Sequence, residues 1–111
     1  MKIKINGKDV VFNPYDLKDS ERFEKALDQM EKDEKAIQNI ISKMQGSGKG
    51  MYVVVGKCID MVKKFFITTT NIDVIDDCTD WLKVREMYDT FLKEVSKEKK
   101  KFAQFSSKRI H

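Results

Sequence analysis

The sequence predicts a mainly α-helical domain, with an N-terminal β-hairpin followed by about three amphipathic helices in a bundle. Three observations lead there. Asn6-Gly7 stands between two stretches of alternating apolar and polar residues, the signature of a two-residue hairpin turn. Apolar residues then recur at steps of three and four through three separate windows. The single proline, Pro14, sits between the hairpin and the first of those windows, so little after it forbids helix.

The stretch "KIKINGKDVVF" sets the hairpin at residues 2–12. A type I′ turn at Asn6-Gly7 puts Ile5 opposite Lys8, Ile3 opposite Val10 and Met1 opposite Phe12. One face then carries Met1, Ile3, Ile5, Val10 and Phe12, and the other carries Lys2, Lys4, Asp9 and Val11. An isolated hairpin is barely stable in water. Its apolar face must lie on a helix or pair with another subunit.

The first helix is expected at about 17–45. Asp16, Asp19 and Ser20 are candidate N-caps, and acidic residues suit that end of the helix dipole. Its stripe is Phe23, Leu27, Met30, Ile37, Ile41 and Met44, widened by Ala26 and Ile40, with Glu34 in the skipped position. These steps suit a bundle helix. A carboxylate on the stripe argues against a long parallel zipper unless it fixes register. The glycines of "GSGKG" end this helix.

A second helix is expected at about 51–66, on Met51, Val55, Cys58, Val62 and Phe65. Tyr52 to Val55 could also be a local strand, but the period of the whole window favours helix. "ITTTNIDVIDDCTD" reads as a connecting segment with several caps. A third helix at about 79–102 carries Trp81, Val84, Tyr88, Phe91 and Val95, flanked by Leu82 and Leu92 and extended by Phe102. Residues 1–96 thus read as one domain and 97–111 as a basic C-terminal tail.

The composition fits this scheme. Of 111 residues, 41% are hydrophobic and 36% charged, as in chains dominated by long helices around one modest core. The net charge of +4 is uneven: residues 97–111 hold six bases and one acid, while residues 1–96 are nearly balanced. The N-terminus lacks the apolar run of a signal peptide, and no window of about 18 apolar residues offers a membrane span. Cys58 and Cys78 match neither a disulfide framework nor a C-x-x-C pair, and read as small buried hydrophobes in a reducing cytoplasm.

Chemistry is sparse. "QGSGKG" suggests a phosphate loop, but such a loop needs G-x-x-x-x-G-K-[ST] between a strand and a helix. Here Lys43 stands where the first glycine belongs, Gly50 replaces the hydroxyl residue, and a helix precedes the glycines. A helix-to-helix hinge is the better reading. The only histidine is His111. Asp73, Asp76, Asp77 and Asp80 lack the glycine of a calcium loop, and helix capping explains them better. The expectation is a protein that is not an enzyme and takes no cofactor and no metal. Lys97, Lys99, Lys100, Lys101, Lys108 and Arg109, interleaved with Phe102 and Phe105, keep a small basic nucleic-acid-binding or regulatory protein as the alternative. With three arginines in the chain, such binding would be weak and salt-sensitive.

Several parts of the chain resemble the tail assembly chaperones of long-tailed, non-contractile bacteriophages of Gram-positive hosts. They are the opening "MKIKINGKDVVFNPYD", the acidic "ERFEKAL", a second helix ending in "FF", the N-x-x-x-x-x-D-C pattern from Asn71 to Cys78, and a last helix ending in lysines. The chain departs from them in carrying "ITTTN" where such proteins often have glycines. The resemblance implies a non-enzymatic helical protein of the host cytoplasm, absent from the mature virion. It would bind the tape measure protein and keep it soluble during tail assembly. It would also self-associate, with the tail tube protein as a further partner; membranes are not expected and nucleic acid is unlikely to be its ligand. A third reading is a structural subunit that stays in an assembly. Candidate self-association residues are Ile3, Ile5, Val10, Phe12, Phe23, Leu27 and Met30. Candidate client contacts are Lys99, Lys100, Lys101, Phe102 and Phe105.

Overall fold

The hairpin forms in the register its turn dictates. In the computed structural model, which describes residues 1–44 and 46–110 except for the side chains of 105–110, strands β1 (Lys2–Ile5) and β2 (Lys8–Val11) pair antiparallel. Ile3 faces Val10 and Ile5 faces Lys8. Asn6 and Gly7 have φ of 51° and 76°, the left-handed pair that a type I′ turn requires. The Phe12 N–H donates to the Met1 carbonyl at 3.0 Å and extends the ribbon past the strands.

Three helices follow: α1 (Leu17–Lys43), α2 (Met51–Thr70) and α3 (Trp81–Ile110). Of the three candidate caps of α1, Asp16 does the capping and accepts the Asp19 N–H at 3.0 Å. Asp19 reaches back to accept the Asn13 N–H at 2.9 Å, and pairs with Arg22. Asp80 caps α3, its carboxylate accepting the Leu82 N–H at 3.0 Å. The α1–α2 connection turns at Gly50, whose φ of 97° favours glycine. A Cβ there would meet the Met44 side chain at 3.6 Å.

Two boundaries differ from expectation. The second helix continues four residues past Phe66, through Ile67–Thr70, before Asn71 ends it at a φ of 60°. Threonine is a poor helix former, but tertiary packing outweighs propensity: Thr69 is only 1% exposed, and the Thr70 hydroxyl donates to the Phe66 carbonyl at 2.7 Å. The third helix does not stop near residue 102. Its backbone runs on to Ile110, so the basic segment expected as a tail continues α3 beyond Val95, the last residue of the buried core among the described residues. Lys, Glu, Ala and Gln favour that continuation, and neither Gly nor Pro interrupts it.

Helices α1 and α2 form an antiparallel pair, with Ala26 and Met30 alongside Met61 and Phe65. Helices α2 and α3 run in the same sense, because the Phe65–Tyr88 ring contact is followed along both helices by Phe66–Phe91. The segment 71–80 must therefore run back along the body, and it does so as part of the core. Val74 and Ile75 are fully buried. The hairpin turn docks onto it: the Asn6 amide donates to the Val74 carbonyl at 2.7 Å, and Lys8 Nζ donates to the Asp73 carbonyl and the Asp76 carboxylate, each at 2.6 Å.

Everything converges on a cluster of phenylalanines. Phe12 from the end of the hairpin, Phe23 from α1, Phe65 and Phe66 from α2 and Phe91 from α3 make ring contacts with centroids 5.4–6.4 Å apart. Such tilted and edge-on pairs add stability beyond area burial alone, on the order of 0.5–1.5 kcal/mol each. The molecule is elongated, 57 × 30 × 20 Å, with a radius of gyration of 16.4 Å, against about 13 Å for a compact chain of this length.

Candidate functional site

The hairpin face is not a free surface. Ile5, Val10 and Phe12 are at most 3% exposed, and Met30 is also buried. Ile3, Phe23 and Leu27 are half-buried against the same core. Helix α3, packed on β1, and the docked segment 71–80 supply the cover that the sequence alone left open. Of the seven residues expected to self-associate, four are thus buried within the chain itself, and Ile3, Phe23 and Leu27 keep partial exposure.

The predicted client contacts at the end of α3 are partly engaged. Phe102 packs against Tyr15 with ring centroids 5.6 Å apart. The Tyr15 hydroxyl lies within hydrogen-bond reach of the Glu98 carbonyl, at 2.9 Å, and of its carboxylate, at 3.0 Å. The carboxylate contact holds Glu98 below the usual carboxylate range, with Lys101 adding to the effect. Phe102 and Lys99 edge a pocket of about 410 Å³ over Phe23, Leu27 and Val95. Lys101 pairs with Glu98 at 3.5 Å, and Lys100 is exposed. The side chain of Phe105 lies outside the described residues.

Asp73, Asp76 and Asp80 of the segment 71–80 have structural roles. Asp73 accepts the N–H groups of Ile75 and Asp76, each at 3.1 Å, and pairs with Lys63 at 3.1 Å. Burial pulls its pKa up, but Lys63 and the two N–H groups outweigh that and leave it below the ordinary value. Asp76 takes Lys8. Among the described residues, no group of three or more His, Cys, Asp and Glu is placed to hold a metal, and no helix is long and apolar enough to cross a membrane. Residues 46–50 form a turn, with the Lys49 N–H donating to the Ser47 hydroxyl at 3.1 Å. Burial pushes the half-buried Cys58 thiol up, away from a reactive thiolate.

A larger concavity lies elsewhere. Helices α1 and α3 line the two sides of an open groove of about 1120 Å³. Met61 and Cys58 of α2 form its floor. Met30, Ile37 and Ile41 line one wall, and Trp81 and Tyr88 line the other. From Met30 to Ile41 the α1 wall is about 16 Å long, three helical turns. Glu31, Glu34 and Lys35 stand along the α1 side, and Arg85 and Asp89 along the α3 side. Tyr88 has a raised pKa, from its burial first and then from the negative charges of Glu34 and Asp89.

A second apolar patch lies at the start of α2. Met51, Tyr52 and Val53 are exposed and adjoin Val55, Ile59 and Cys78. The periodic stripe assigned to α2 holds at Val62 and Phe65, which are buried, and widens to Val54, Met61 and Phe66, while Met51 faces solvent and Val55 and Cys58 are only half-buried. A helix packed on both α1 and α3 needs two apolar seams, and a single stripe could not reveal which.

No family model, no curated protein and no solved structure matches this chain.

Proposed function

We propose that this protein is a phage tail assembly chaperone: a non-enzymatic protein that binds the tape measure protein in the host cytoplasm, keeps it soluble during tail assembly and is absent from the finished virion. The observation that carries the reading is the open groove between α1 and α3. It has an apolar floor, charged edges and a length of three helical turns, which suits an amphipathic client helix laid into it. Ile41 is exposed there, and Cys58, Trp81 and Tyr88 are half-buried, so a helix laid into the groove would remove from water apolar surface that the fold leaves there. The resemblance of the chain to such chaperones supplies the client. Lys99, Lys100, Lys101 and Phe102 form a second, flanking contact along the end of α3. With the hairpin face buried, self-association falls to the exposed residues Met51, Tyr52 and Val53. The tail tube protein is a further partner on this reading.

Co-expression with a tape measure fragment tests it. The wild-type protein should hold the fragment in the soluble fraction and co-purify with it. Trp81→Ser together with Ile41→Ser should lose the fragment while the protein itself stays folded. Unchanged client solubility with this double variant would reject the groove as the client site.

A further inference from the structure

Glu34 breaks the apolar stripe of α1, and the fold has not used it. It is exposed on the wall of the groove, and among the described residues it makes no ion pair. The other charges there are matched. Lys35 lies 3.9 Å from Glu31, and Arg85 lies 4.0 Å from Asp89. The groove is left with one unmatched carboxylate, on the position where a packed helix would carry an apolar residue. Across from it stand Trp81 and Tyr88. Burial raises the pKa of Tyr88 first, and the negative charges of Glu34 and Asp89 near its hydroxyl add to that rise.

We propose that Glu34 sets the register and selects the partner of this groove: an amphipathic helix whose apolar stripe carries one lysine or arginine, seated between Glu34 and the faces of Trp81 and Tyr88. The inference rests on the groove being the client site, and adds which helices it accepts. A purely apolar stripe laid over Glu34 would strip its water and return no counter-charge. A glutamate in the stripe would add repulsion. A cation restores the lost solvation and can also lie against the aromatic faces. A single polar position inside an apolar seam fixes register in this way in helical coiled coils, by penalising the alternatives.

Three synthetic amphipathic peptides of about 20 residues test this, identical except for lysine, leucine or glutamate at one central stripe position. Titrated by fluorescence of Trp81, the sole tryptophan, the lysine peptide should bind at least tenfold tighter than the glutamate peptide, with the leucine peptide between them. Glu34→Lys should reverse the order, and Glu34→Leu should make the leucine peptide the tightest. Glu34 is exposed, so these variants need no repacking to fold. If all three peptides bind alike and the order ignores residue 34, the selectivity claim is overturned while groove docking stands. If none binds, both fall. If the protein alone self-associates in sedimentation and Glu34→Lys abolishes that, a second copy occupies the groove, and the partner-helix proposal is overturned.

Discussion

Around the phenylalanine cluster four elements meet: the hairpin, α1, α2 and α3, with segment 71–80 wedged alongside. Phe12, Phe65, Phe66, Phe91, Val74 and Ile75 there are at most 2% exposed. At the opposite end α1 and α2 pack as a pair, and α3 has only begun. Ile41, Met51, Tyr52 and Val53 there are 42%, 52%, 91% and 47% exposed. The same helices thus supply both a closed core and an open surface. The core requires every element to converge. The surface exists where α1 and α3 face each other across the groove without closing it, and α1 runs on past the core to Lys43.

The contrast can be broken by mutation, and the largest effect belongs to the closed end. Phe91→Ala should destabilise the fold by about 3–5 kcal/mol, the usual cost of emptying a phenylalanine site in a core, measured by urea denaturation. Trp81→Ala, at the groove, should cost much less and should instead weaken client retention. Equal losses of stability at both positions would mean that the groove wall is core after all.

Thr69 sharpens the comparison from inside the core. Its hydroxyl is buried and, among the described residues, has no hydrogen-bond partner. Thr69→Val keeps the shape and removes the unsatisfied group, whose burial carries a penalty of about 1–3 kcal/mol. The variant should be the more stable by part of that amount, with client binding unchanged. A drop in thermal midpoint would show that the hydroxyl has a partner.

How much was legible in the sequence follows the same division. The hairpin register could be read because Asn6-Gly7 and the alternation around it are local. The helices could be read because their period is local too. Val74 and Ile75 sit in a segment with no period, and only the return path between two same-sense helices makes them core. The groove was not legible either. Trp81 and Tyr88 look like ordinary stripe residues, and they become a wall because α1 lies too far away to cover them. Glu34 was the one signal, a carboxylate where the period demands an apolar side chain, and only the fold shows what it faces.

Acid should weaken the seam where segment 71–80 meets α2. The pKa of Asp73 in the folded chain lies below its ordinary value of 3.8. Its contribution is therefore fully present above the unfolded pKa and is lost as pH falls through the folded value. Exposed pairs such as Lys63–Asp73 are worth at most about 1 kcal/mol, so the effect is small. Asp73→Asn should flatten the acid limb of stability against pH below about pH 4. An unchanged limb would assign the loss to other carboxylates. Smaller still, Ile41→Ser should alter stability by no more than about 0.5 kcal/mol, because the residue is 42% exposed and lies outside the buried core.

Amide hydrogen exchange on the protein alone and in complex with a tape measure fragment tests the central claim most directly. The closed end should be protected in both states. Binding should add protection along residues 30–41 and 81–89, the two walls of the groove, and leave the hairpin and residues 71–80 unchanged. New protection confined to residues 97–104, with the groove walls unaltered, would contradict the account and place the client on the basic end of α3.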